Sequence, residues 1–331
     1  MTPRQLVLEA LAKRTPPTVP YQLGLTDAVH ERLAAYFKDP DFDSKLGNAI
    51  AEERNELIED IGHGEVRDMF GVVWSREQKG DFGVVKTPLL GEPDFGAYRF
   101  PEPDEKAIRA KCEHLVAKRE NQYTMYTIGF SLFERAWSLR GMEDTLIDFV
   151  LNPEFADDLL DRIVEYNLKV VDLVARYPVD CIFFGDDWGQ QKGLIMGPIH
   201  WRRFIGPRLA KMYAHVKSKG MLIAQHSCGD ISEVFPDLIN MKLDIYNTFQ
   251  PEVYDVAEMK RLYGDKITFF GGISTQRLLP YATPDEVRAE TRRLMALLGK
   301  NGGYIVAPTH AIPDDVPTEN ILAFLDAVRG Q

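Results

Sequence analysis

The chain is poor in cysteine, poor in positive charge, and has no long apolar run. Its three cysteines, Cys112, Cys181 and Cys228, stand far apart in 331 residues. That spacing builds no disulfide framework and points to a reducing compartment. Lys and Arg number 39 against 50 Asp and Glu, a net charge of -11. Nucleic acid and anionic membrane surfaces call for a basic face, so this balance excludes both as main partners. No window of about eighteen residues is apolar and uncharged, and the opening MTPRQLVLEALAKR carries no targeting-type apolar stretch, so a cytoplasmic protein is expected. Internal repeats and low-complexity linkers are absent too. One domain over residues 1–331 is the economical reading, with 45% hydrophobic residues to fill its core.

What is present is alternation. Apolar periodicity predicts a short helix from Pro3 to Lys13, a strand Thr18 to Leu23, and helices Asp27 to Phe37 and Asp41 to Glu59. From Val66 to Arg99 the texture is Gly, Val and aromatic residues with turn signals at Lys79-Gly80 and Gly91, which reads as β-hairpins. Short β-rich runs then alternate with longer helical ones. The strands are expected at Tyr123 to Ile128, Cys181 to Gly185, Met221 to His226, Asp244 to Thr248, Ile267 to Phe270 and Gly303 to Ala307. Between them fall a helix capped by Asn152 with Pro153 at its first position, a helix Pro198 to Lys219, and one opened by a Thr283–Glu286 capping box. This is the pattern of parallel β/α units. It predicts a distorted (β/α)8 TIM barrel with an N-terminal helical and β-hairpin elaboration.

In such a barrel the reactive groups come from the C-terminal strand ends. The polar punctuation of this chain sits there: Asp186-Asp187, His226-x-Cys228, Gln250-x-Glu252 and His310. Side chains two apart on a strand share a face, so His226 and Cys228 can converge on one point. Imidazole and thiolate are common zinc ligands, and a catalytic zinc needs one further protein ligand and an open position. Asp186 and Asp187 are candidates for orienting substrate or moving a proton. Tyr21, Trp188, Gln190 and Gln250 are candidate pocket walls. The bland alternative for each residue alone is a turn, a cap or an ordinary buried polar group.

The segments DDWGQQKG, HSCGD, NTFQPE, FFGGISTQ and APTHAIPDDVPTENI resemble the uroporphyrinogen decarboxylase superfamily. Within it the chain is closest in motif to the zinc-dependent, corrinoid-linked methyltransferases. The resemblance implies that zinc binds the His and Cys of an HxCG motif, here His226 and Cys228. It also implies a displaceable Glu after the next strand, here Glu252, and a third Cys near the C-terminus. At that last place this chain has His310, a poorer electron donor that leaves the metal more electrophilic.

The same resemblance implies a methyl group moved between a corrinoid and a small-molecule nucleophile or methyl donor. No cobalamin-binding DxHxxG pattern occurs in the sequence, so a partner protein is expected to supply the corrinoid. The alternative within the superfamily is a decarboxylase that needs no cofactor, whose THAI-type histidine is also present. That branch reads its substrate with an arginine pair, which YQLGLTDAVHERL lacks, and with an Asp where this chain has FGVVW. A barrel that binds a small ligand without catalysis or metal is the third reading.

Overall fold

Buried, β-branched and aromatic runs form the strands of this protein, and amphipathic stretches between them form its helices. The computed structural model describes residues 1–76 and 83–331. The expected turn at Lys79-Gly80 lies outside them. In chain order the strands are β1 (Ile50–Arg54), β2 (Ile58–Gly62), β3 (Glu65–Asp68), β4 (Val73–Ser75), β5 (Val84–Val85), β6 (Tyr123–Ile128), β7 (Cys181–Gly185), β8 (Gly189–Gln190), β9 (Gly193–Leu194), β10 (Leu222–His226), β11 (Ile245–Phe249), β12 (Thr268–Ile273) and β13 (Tyr304–Pro308). The chain divides into two compact units: Met1–Ala51, Lys118–Thr124 and Asp244–Gln331 form one, Glu52–Ala117 and Met125–Leu243 the other.

In the second unit β7 pairs in parallel with β6 on one side and β10 on the other, and the register sets His226 opposite Gly185. Every residue of β6 is buried, as expected for a parallel strand covered on both faces. The helix Pro153–Val174 buries Leu160, Ile163, Val164, Val170, Val171 and Val174 as one apolar stripe. Strands β2 to β5 form a separate antiparallel sheet, the expected hairpin elaboration. In the first unit β12 pairs in parallel with β11 and β13. The Thr283–Glu286 capping box opens the helix Pro284–Leu298 as the sequence predicts.

Four expectations need correction. Thr18 to Leu23 is extended but forms only an isolated bridge from Tyr21 to Val306, since Pro16, Pro17 and Pro20 lack the N–H groups a ladder needs. Asp41 to Glu59 is a short 3-10 turn followed by β1 and β2, not a helix. There the Glu-rich helix propensity yields to tertiary contacts: Thr127 Oγ1 donates to Glu52 at 2.9 Å, and the Asn55 N–H to the Thr127 carbonyl at 2.8 Å. The helix expected from Pro198 is interrupted by a π-helical turn at Trp201–Ile205 before Gly206–Ser218. Asn152 makes no side-chain cap and instead donates to Asp148 Oδ1 at 2.8 Å.

Asp186, just past β7, is the joint that sets the strand ends of the second unit. It is fully buried. Its oxygens accept the backbone N–H groups of Leu132, Phe133 and Glu134 at 3.2, 3.0 and 2.8 Å and the Trp188 indole N–H at 2.5 Å. It therefore caps the helix Phe133–Arg140, which has no capping side chain of its own. Burial pushes its carboxyl up to about 6, against the pull of those four donors. Replacing it by Asn turns an amide NH2 towards donors. Asp186→Asn is expected to cost about 2–4 kcal/mol in denaturant melts. Asp187→Asn, at a side chain 36% exposed, should stay within about 1 kcal/mol of the parent; equal losses would refute the capping role.

Candidate metal centre

From His226, the last residue of β10, the chain leaves the sheet through Ser227, Cys228 and Gly229, beside the Asp186–Gly189 turn that follows β7. The two turns are stitched together. The Asp186 N–H donates to the His226 carbonyl at 3.1 Å, the Trp188 N–H to Ser227 Oγ at 2.9 Å, and the Cys228 N–H to Asp187 Oδ1 at 2.8 Å. Gly229 has φ +77°, and a Cβ there would stand 2.3 Å from the Gly189 carbonyl carbon. Only glycine lets the backbones cross so closely.

This scaffold brings three of the expected side chains together. His226 Nε2 lies 3.5 Å from Cys228 Sγ and 3.4 Å from Asp187 Oδ1. Phe183 meets the imidazole edge-on, with ring centroids 6.4 Å apart. Burial, and then the charge of Asp187, push the Cys228 thiol far above its ordinary range, with Glu134 adding to the effect. Glu134 itself is raised well above the usual carboxyl range by burial and by the charges of Asp187 and Asp186. The surroundings are thus short of positive charge, and a divalent cation would relieve them. Sequence reasoning missed Glu134. The signal was an acid in the first helical turn just past a buried strand, in GFSLFERAW.

Glu252 and His310 belong to the first unit. Glu252 follows β11; Ser274 Oγ donates to its Oε1, while its Oε2 is buried without a hydrogen-bond partner. Such an orphaned oxygen suits a cation ligand. His310 is exposed just past β13. The residue before it, Thr309, is held by hydroxyls: Thr275 Oγ1 stands 2.9 Å from Thr309 Oγ1, and Thr248 Oγ1 donates to the Thr309 carbonyl.

Asp186 and Trp188 are corrected out of the expected site. Both are fully buried, Asp186 saturated by its four donors and Trp188 packed edge-on against Trp201 at 5.4 Å. Neither presents a surface to substrate. Gln190 is exposed on the short β8–β9 hairpin, Gln250 is buried beside β11, and the Tyr21 hydroxyl donates to the Leu46 carbonyl at 2.6 Å.

With this geometry in view, known proteins show where the chain belongs. Residues 68–331 match the family model described as Uroporphyrinogen decarboxylase (URO-D). The chain is 38% identical over 271 residues to a uroporphyrinogen decarboxylase from Psychromonas ingrahamii, covering 76% of this chain and 72% of that one. It is 21% identical over 346 residues to the methylated-thiol–coenzyme M methyltransferase of Methanosarcina mazei, covering 99% and 89%. Among solved structures, a methyltransferase from Methanosarcina mazei superposes with a TM-score of 0.74 at 16% identity, over 100% of this chain and 99% of the other. That likeness bears out the expected distorted β/α barrel fold. The chain belongs to the uroporphyrinogen decarboxylase family of enzymes.

Proposed function

We propose that this protein is a zinc-dependent methyltransferase that moves a methyl group between a corrinoid, carried by a partner protein, and a small-molecule nucleophile or methyl donor. The observation that carries the reading is the spacing of His226 and Cys228. Nitrogen at about 2.0 Å and sulfur at about 2.3 Å from one tetrahedral zinc stand about 3.5 Å apart. The two atoms are 3.5 Å apart in this chain. His310 would complete the ligand set, and the orphaned oxygen of Glu252 would take the remaining position until substrate displaces it. The Methanosarcina methyltransferases among the relatives support the same chemistry.

When bound, zinc lowers the pKa of a nucleophile such as a thiol, so that it reacts as an anion at neutral pH. The chain's own residues do the rest. Asp187 holds the Cys228 backbone at 2.8 Å and faces the imidazole of His226, which fixes both ligands. Glu134 and Asp187 give the pocket a carboxylate pair able to hold a proton beside Cys228.

A second reading, decarboxylation without a cofactor, is favoured by the 38% identical relative. It leaves His310 as a hydrogen-bonding group and requires no metal. Elemental analysis of protein prepared without a nickel column separates the two. Zinc near one per chain is expected, with loss in Cys228→Ser and at least about tenfold weaker binding in His310→Ala. A wild type that takes up no zinc on incubation, yet decarboxylates uroporphyrinogen, would replace the first reading with the second.

Zinc affinity should also depend on pH in a fixed direction. The folded, metal-free thiol of Cys228 is protonated because its pKa is raised, so zinc binding must release that proton. Affinity is therefore expected to rise about tenfold per pH unit from about 7 to 9, as read by competition with a chromophoric chelator. A flat profile would remove Cys228 from the ligand set.

A further inference from the structure

Past β12 the chain leaves the sheet through Ser274 and Thr275, between the ends of β11 and β13, since β12 pairs with both. Phe249 of β11 and Gly271 of β12 are partners in register, and Glu252 and Ser274 each stand three residues further along. Gly271 makes the close approach possible: its φ is +135°, and a Cβ there would stand 2.8 Å from the Phe249 nitrogen. The ladder thus delivers the two side chains to one another. We propose that Ser274 is the positioning residue for Glu252: it holds one oxygen of that carboxylate and leaves the other as the only one available to the metal. The inference rests on the zinc-dependent reading and adds to it the residue that aims the displaceable ligand.

The bonds around Ser274 fix the direction of its proton. A serine hydroxyl has one proton and two lone pairs. Ser274 Oγ accepts the Arg277 N–H at 2.9 Å and the Leu278 N–H at 3.3 Å, which occupies both lone pairs. The proton is left for Glu252 Oε1. The Leu279 N–H donates to the Ser274 carbonyl at 3.0 Å, so backbone and side chain are both tied to the start of the helix Leu278–Tyr281. Ser274 is buried, and water competes little for its hydroxyl.

Glu252 is therefore held at one end only. Its Oε2 is buried with no partner, a costly state that a cation offsets. A Lys or Arg at position 274 would neutralise the carboxylate and compete with the metal for it. A neutral hydroxyl orients the group and leaves its charge for the metal. Bound through one oxygen, Glu252 also has a single bond to break when substrate enters. The next residue braces the neighbouring loop: the Thr275 N–H donates to Thr309 Oγ1 at 3.2 Å, the two hydroxyls lie 2.9 Å apart, and the Thr309 N–H donates to the Ile273 carbonyl at 2.8 Å. Thr309 immediately precedes His310.

Zinc competition with a chromophoric chelator, run as a double-mutant cycle, tests the assignment without recourse to turnover. Ser274→Ala is expected to weaken zinc about tenfold in the parent, and by less than about twofold where Glu252→Ala is already present. An equal loss in both backgrounds, or none in either, would overturn the proposal while zinc binding itself stands. Ser274→Ala also strips the acceptor from two N–H groups, so a second measurement leaves Ser274 in place. Infrared spectra with and without zinc, compared between wild type and Glu252→Ala, should show Glu252 bound through one oxygen. Bands of a carboxylate chelating through both oxygens, or no zinc-dependent band from Glu252, would overturn the proposal even if Ser274→Ala does not fold. A wild type that takes up no zinc would overturn the metal reading and this proposal with it.

Discussion

One buried carboxylate organises the second unit. Asp186 ties the end of β7 to the first turn of the helix Phe133–Arg140 through three backbone N–H groups and to Trp188 through an indole. Removing a carboxylate from water is costly, and the bonds that offset this cost fix its position. Its neighbour Asp187 is therefore delivered to a defined place. There it accepts the Cys228 N–H and faces His226. Of two adjacent acids that look alike in the sequence, one builds the frame and the other holds the turn that follows β10.

The frame also explains why acids crowd a pocket with few cations. Glu134 is drawn close to Asp187 because its own backbone N–H is committed to Asp186. Burial first, and then the resulting repulsion, raise Glu134 and the Cys228 thiol above their ordinary ranges. Folding has thus placed groups that disfavour one another's charge at the end of β10, an arrangement common at functional sites.

Much of this was legible from the residues. The buried strands Tyr123–Ile128 and Cys181–Gly185 stand where apolar runs put them, since length and β-branched content define a parallel strand locally. His226 and Cys228 do converge, but Cys228 lies past the end of β10 and is placed by its backbone bond to Asp187 rather than by strand alternation. The failures share one cause, tertiary contact. The helix-forming pattern of AEERNELIED gave way to strand pairing, and Asp186 and Trp188 looked like site residues because burial is invisible in a list of polar strand ends. The role of Glu134 depends on which strand end lies beside β6, and that neighbour comes from a segment more than forty residues away.

The raised thiol of Cys228 has a chemical consequence of its own. Oxidants and alkylating agents attack thiolates, and a thiol held protonated by burial and by neighbouring carboxylates offers them little. The sulfur of Cys228 is then expected to come through an oxidising episode intact. The acids that disfavour a thiolate at Cys228 also act as its chemical guard.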